Sequence, residues 1–181
     1  MLRRSMSAAP AIEWALQGPC DAMHNARGRT GGVRRLIRDP SMECTINWLA
    51  ASGMAFVAET GSGHVLTMDG APDGGGRNLA PRPMETVLAG TGGCTAYDVV
   101  LILKRGRHDV RGCQVRLEAD RAPADPKVFT RIHMHFTVTG RDLSDAVVER
   151  AIRMSHEKYC SASAMLAKTA EISTSYEIVP A

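Results

Sequence analysis

The first persistent pattern along the chain is a pair of short extended runs, Cys44 to Leu49 and Met54 to Glu59, separated by Ala50-Ala51-Ser52-Gly53. A turn-prone break between two such runs predicts a β-hairpin. A third run, His64 to Met68, follows Gly61-Ser62-Gly63 and leads into a loop from Asp69 to Pro81 that carries Gly70, Gly74, Gly75 and Gly76. Loops of this length are usually mobile or functional. The period then changes. Pro83 stands where a first helical turn tolerates it, and Met84, Val87, Leu88, Thr91, Cys94, Thr95, Val99 and Ile102 recur mostly three or four residues apart. This predicts a helix of about twenty residues with one buried stripe, longer than usual and suited to a central position. It stops near Lys104-Arg105-Gly106, with cations beside the carbonyl end and a glycine to reverse the chain.

Alternation returns beyond it. Val115, Leu117 and Ala119 alternate with Gln114, Arg116, Glu118 and Asp120. After the turn Ala122 to Lys127, Val128, Thr130, Ile132, Met134, Phe136 and Val138 alternate with Arg131, His133 and His135. Each run reads as a strand with one wet face. A helix is predicted from Ser144 as N-cap, through Val147, Val148, Ala151 and Ile152, to the Ser155–Lys158 region, and then a short helix from Tyr159 to Lys168. Ile172, Thr174, Tyr176 and Ile178, alternating with Glu171, Ser173, Ser175 and Glu177, give a closing strand. The order β-β-β-α-β-β-α-α-β defines an α+β domain whose long helix is sheltered by sheet.

Residues 1–41 carry no such pattern, and the domain boundary falls near Met42. This segment is rich in Arg, Ala, Gly and Pro and holds seven arginines against three acidic residues. It reads as a disordered basic extension or as upstream sequence added by a wrongly chosen start codon. A targeting peptide is the third reading, but Pro10 and Glu13 interrupt the stretch Ala8 to Leu16 that a secretory signal would need unbroken. Residues 42–181 hold 15 basic and 16 acidic residues, so the overall charge of +3 belongs to the leading segment. A near-neutral body gives no electrostatic reason to expect nucleic acid. No uninterrupted apolar run approaches the roughly 18 residues of a membrane span, so no membrane partner is expected. With 44% hydrophobic residues the chain can build one core without cross-links. Its five cysteines, Cys20, Cys44, Cys94, Cys113 and Cys160, are odd in number and contain no Cys-x-x-Cys pair. That argues against a disulfide framework or a structural zinc site and for a reducing, cytoplasmic setting.

Two of these cysteines have unusual neighbours. Gly90, Gly92 and Gly93 precede Cys94 inside the long helix, and each weakens it by roughly 1 kcal/mol relative to alanine. Small residues there allow close approach, either by a packed neighbour, with Cys94 a mere small hydrophobe, or by a small substrate beside the sulfur. Cys160 opens the short helix after His156-Glu157-Lys158-Tyr159 and is followed by Ser161 and Ser163. A cysteine there faces the positive end of the helix dipole, which favours thiolate. The pair suggests two thiols able to close a disulfide. Other signals are weaker. His133 and His135 share a strand face at a metal-compatible spacing but lack an evident third ligand. Cys44 and Cys113 read as buried fillers, and Asp73 to Gly76 lacks the lysine and spacing of a phosphate loop. His156 reads as a capping or core histidine, or as a proton carrier beside Cys160. Tyr97 and Asp98 read as polar lining after Cys94. No cofactor or metal is expected.

These residues also carry a resemblance. Gly76-Arg77-Asn78-Leu79-Ala80-Pro81-Arg82-Pro83-Met84-Glu85-Thr86-Val87-Leu88-Ala89-Gly90-Thr91-Gly92-Gly93-Cys94 resembles the start of the central helix of the OsmC/Ohr hydroperoxide-resistance family and its reactive cysteine. His156 to Ser163 is similar to the family's His-x-x-x-Cys region, and the Gly-Gly-Cys-Thr-Ala-Tyr-Asp-Val-Val run at 92–100 resembles the YhfA-type subgroup. The likeness spans about Met42 to Val179. It implies an OsmC-like fold, antiparallel sheets around a long central helix, in an intertwined homodimer with two sites at the subunit interface. It also implies a thiol peroxidase. Cys94 would attack an organic hydroperoxide, Cys160 would resolve the sulfenic acid as a disulfide, and an external dithiol would reduce it. Two departures matter. Peroxidatic members use an arginine from an early strand, and Cys44 to Glu59 contains none. They also use a glutamate at the start of the central helix, a position that aligns with Met84, leaving Glu85 one residue and about 100° round the helix as the catalytic carboxylate. Arg77 and Arg82 are candidate substitutes from the loop. The alternative is a family member with the same thiols, redox-responsive or binding a small molecule, without efficient turnover.

Overall fold

A computed structural model describes residues 42–181. The expectations for residues 1–41, and for Cys20, lie outside them. The elements follow the predicted order: β1 (Cys44–Trp48), β2 (Phe56–Thr60), β3 (Val65–Met68), α1 (Pro83–Arg105), β4 (Asp109–Arg121), β5 (Phe129–Arg141), α2 (Asp145–Met154), α3 (Ser161–Leu166) and β6 (Glu171–Pro180). A π-helical turn, Ser155–Tyr159, separates α2 from α3.

The strands form two sheets of three, in the orders β1-β2-β3 and β4-β5-β6. The first is antiparallel throughout, and Gly53 makes its first turn with a left-handed φ of +73°. The Trp48 indole N–H closes that turn on Gly53 O at 2.7 Å. In the second sheet β4 and β5 are antiparallel, but β6 runs parallel to β5, opposing Phe136 to Tyr176 and Val138 to Ile178. This corrects the expectation of purely antiparallel sheets. The connection from β5 to β6 passes through α2, the π-helical turn and α3, and a helical crossover is what lets a strand return parallel. β4 and β5 are also longer than their alternation suggested, because register shifts at Val110/Gly112 and Asp120/Arg121 interrupt the period without ending the pairing.

The core lies between the second sheet and the helices. Ile132, Met134, Phe136 and Val138 of β5 are buried against Val99 and Leu103 of α1 and Val148, Ala151 and Ile152 of α2. Each such side chain removed from water stabilises the fold by about 1.5–3 kcal/mol. Gly92 shows how closely α1 seats on β4, since a Cβ there would lie 2.6 Å from Leu117 Cδ1. A Cβ on Gly90 or Gly93 would meet nothing within 4 Å among the described residues, so helix-to-sheet packing accounts for one of the three glycines and not the other two.

By length and composition alone α1 could cross a membrane. Here it is the scaffold of the domain, with Thr91, Gly92, Thr95, Val99 and Leu103 buried along one side. Its other side carries the exposed Val87 and Tyr97, so the described residues shelter the long helix on one face. The loop after β3 is tied down by Asp69, which is 1% exposed. Its Oδ2 accepts from the backbone N–H groups of Arg77 and Leu79, each at 3.0 Å, and its Oδ1 from Gly70 N at 2.7 Å. The N–H of Leu79 foremost, with those of Gly70 and Arg77 and the Arg77 charge, outweighs burial and lowers the carboxyl pKa.

Candidate active site: two thiols and a carboxylate

Cys94 sits in the middle of α1, on the flank of its buried stripe. Cys160 is the N-cap of α3: its extended backbone (φ −72°, ψ 99°) ends the π-helical turn, and its sulfur accepts from Ser163 N at 3.4 Å and Ser163 Oγ at 3.2 Å. The crossover lays the start of α3 over α1, and the two sulfurs come within 4.8 Å of each other. Both thiols are free, Cys94 partly accessible and Cys160 2% exposed.

A third group completes the cluster. Asp98 lies four residues after Cys94, one turn along the same face of α1, and its carboxylate is within 4.8 Å of both sulfurs. It is held by a short polar chain in which Ser155 Oγ, 2.9 Å from Thr95 Oγ1, donates to Asp98 Oδ2 at 3.2 Å. In the sequence alone Asp98 reads only as polar lining. The available signal was its four-residue spacing from Cys94, which carries weight only once α3 brings a second sulfur to that face.

The electrostatics of the cluster are negative. Burial first, then hydrogen bonding to Cys160, and then the charges of Cys160 and Asp98 push the Cys94 thiol above its ordinary value of 9.0. The Ala162 backbone N–H, near the start of α3, works the other way and only in part.

Glu85 is not part of this cluster. It lies nine residues before Cys94, about 13 Å along the helix axis, where its Oε2 accepts from Arg82 N at 2.9 Å and caps α1. The carboxylate that the fold brings to the thiols is Asp98. The two candidate arginines are placed elsewhere. Arg77 Nη2 donates to Ala51 O at 3.4 Å and its charge acts on Asp69, while Arg82 is the N-cap residue of α1. The charges that act on Cys94 are those of Cys160 and Asp98.

The remaining candidates are also settled by position. His156 lines a groove between α2, the π-helical turn and β6, with a buried Nδ1 that has no hydrogen-bond partner among the described residues, and it does not join the thiols. His133 and His135 form a hydroxyl ladder with β6: His133 contacts Ser173 and Ser175, and His135 contacts Ser175, each at 2.8 Å. Cys113 is half-buried, and burial raises its pKa. Cys44 departs from the expected buried filler. It is exposed, because β1 is an edge strand with no covering layer among the described residues.

A six-strand, three-helix α+β fold that brings a cysteine of the long helix to one at the start of a short helix defines a class, and the comparisons agree with it. The OsmC-like protein family matches residues 74–175, and the chain belongs to that family. It is 49% identical over 140 residues to protein YhfA of Escherichia coli strain K12, which covers 77% of this chain and all of the relative. Among solved structures, a hypothetical protein from Aquifex aeolicus VF5 is similar at 26% identity and a TM-score of 0.67, over 79% of this chain and 99% of that one. An organic hydroperoxide resistance protein OsmC from Legionella pneumophila shares the fold at 15% identity and a TM-score of 0.57, over 76% and 96%. The family fits a redox or peroxidase-related role.

Proposed function

We propose that the protein is a thiol-dependent peroxidase that reduces organic hydroperoxides through Cys94, with Cys160 as the resolving thiol. One observation carries the reading: the two sulfurs lie within 4.8 Å. The Cys94 thiolate attacks the peroxide, forming an S–O bond as the O–O bond breaks, and the alkoxide leaves as alcohol after taking a proton. The resulting sulfenic acid is attacked by Cys160, which forms the disulfide and releases water. An external dithiol then restores both thiols by exchange. Exposure supports this order, since Cys94 is accessible to a substrate and Cys160 is buried. The description of the Legionella relative, organic hydroperoxide resistance, fits the substrate class. The working compartment in this reading is the cytoplasm, where thiols are kept reduced.

The reading includes a homodimer. Trp48, Val65, Leu79 and Tyr97 are 59–81% exposed among the described residues, and in this reading a second copy covers them. Light scattering tests this, and a monomer at working concentration removes the dimer from the proposal.

A second reading rests on the raised Cys94 pKa. A thiol held protonated attacks slowly, which suits a redox-responsive or small-molecule-binding protein without efficient turnover. Intact mass after substoichiometric cumene hydroperoxide separates the two. Rapid loss of two hydrogens, mapped to a Cys94–Cys160 disulfide and absent in Cys94→Ser, supports the peroxidase; a chain that stays reduced supports the second reading.

A further inference from the structure

The peroxidase scheme uses the two thiols and leaves Asp98 without a task. Its charge opposes formation of the Cys94 thiolate, so as a helper of peroxide attack it is misplaced. The same three groups make sense as ligands. Cys94 and Asp98 project from successive turns of one long helix, Cys160 is fixed as a helix N-cap, and all three donor atoms lie within 4.8 Å of one another. Fully ionised, they carry three negative charges in a partly buried place, an arrangement that a dication relieves.

We propose that the reduced Cys94–Asp98–Cys160 cluster binds a thiophilic divalent cation of the Zn2+ class. Two thiolates select a borderline-soft metal over Mg2+ or Ca2+. Zn–S bonds of about 2.3 Å and a Zn–O bond of about 2.0–2.2 Å put tetrahedral donors roughly 3.5–3.8 Å apart. Donors already within 4.8 Å reach that spacing by moving about 1 Å. The Ser155 hydroxyl on Asp98 Oδ2 is the outer contact that orients a ligating carboxylate, and Thr95 holds Ser155 in turn. Three protein ligands leave a fourth position on the accessible side of Cys94 for water or an exogenous ligand. A bound metal occupies the sulfur lone pairs that would attack a peroxide, so metal and disulfide exclude each other. The inference does not rest on peroxidase activity and can stand or fall without it.

The test is titration of the full-length reduced protein with Co2+, followed by displacement with Zn2+ and inductively coupled plasma analysis of the desalted product. The expected result is one tightly held metal per chain with a sulfur-to-cobalt charge-transfer band. That band should disappear in Cys94→Ser and Cys160→Ser, persist in Cys113→Ser, and weaken at least tenfold in affinity in the isosteric Asp98→Asn. Circular dichroism checks that each variant is folded. In the wild type, Zn2+ should also slow alkylation of Cys94, and a chelator should reverse this. Binding that survives Cys94→Ser, Asp98→Asn affinity equal to wild type, or no charge-transfer band in the reduced protein would each overturn the assignment. No peroxide enters the assay, so its failure is distinguishable from failure of the peroxidase reading.

Discussion

The reactivity of Cys94 can be worked out from its neighbours and measured directly. Burial, hydrogen bonding to Cys160 and the nearby negative charges hold its thiol above the ordinary range, so the thiolate is the minor form at pH 7. Only the thiolate attacks iodoacetamide, displacing iodide. The alkylation rate constant at Cys94 should therefore keep rising with pH from 7 to 9 without levelling off by pH 8. Burial is the first cause and Asp98 is the cause most easily removed. A carboxylate within 4.8 Å, even screened as in bulk water, disfavours the thiolate by about 0.9 kcal/mol. Asp98→Asn should then speed alkylation at pH 7 by about fourfold or more, with metal removed by chelator. The assay is pseudo-first-order labelling read by peptide mass spectrometry, so that Cys20, Cys44 and Cys113 are counted separately. A wild-type profile that levels off by pH 8, or an Asp98→Asn rate equal to wild type, would refute this account of the cluster.

Three further outcomes test the scaffold. Phe136, fully buried between sheet and helices, should cost about 3–5 kcal/mol as Phe136→Ala, read as a fall in the urea midpoint. Gly92→Ala forces Leu117 to move, whereas Gly93→Ala meets open space among the described residues. The second should gain up to about 1 kcal/mol of helix stability that the first does not, and a destabilised Gly93→Ala would mean that a surface outside the described residues covers that position. The Asp69 carboxyl pKa is lowered on folding, so its contribution is fully present above its unfolded value of 3.8 and is lost as pH falls through the folded value. Limited proteolysis within residues 70–81 should therefore accelerate in Asp69→Asn at pH 7, and in the wild type only in strong acid.

Much of this architecture was legible in the chain because local periods carry it. The three- and four-residue stripe from Met84 to Ile102 gave α1, and the alternations gave the inward faces of β4 and of β5 from Ile132 onward, whereas Val128 and Thr130, expected inward, are exposed and Phe129 is buried in their place, beside the register shift at Asp120/Arg121. Pairing partners were not legible. Alternation marks a strand but not its neighbour's direction, so the parallel return of β6 emerged only with the crossover. The site divides the same way. Cys94 and Cys160 stood out through glycines and a helix start, which are local marks. Glu85 is marked by its place at the beginning of the helix, where its carboxylate accepts from Arg82 N, while Asp98 acquires meaning only with the approach of α3. Cys44 is exposed rather than buried because extended backbone does not by itself supply a covering layer, and β1 lies at a sheet edge.

The meeting of Cys94 and Cys160 ties together positions 66 residues apart. A bond between them would close nearly half of the described residues into one ring, and loop-entropy arguments set the loss of freedom in the unfolded chain at about 4 kcal/mol. Oxidation at a single point would then be felt everywhere, as slower opening and greater resistance to proteases. The reduced form, lacking that constraint, would be the one more readily cleared by a cell.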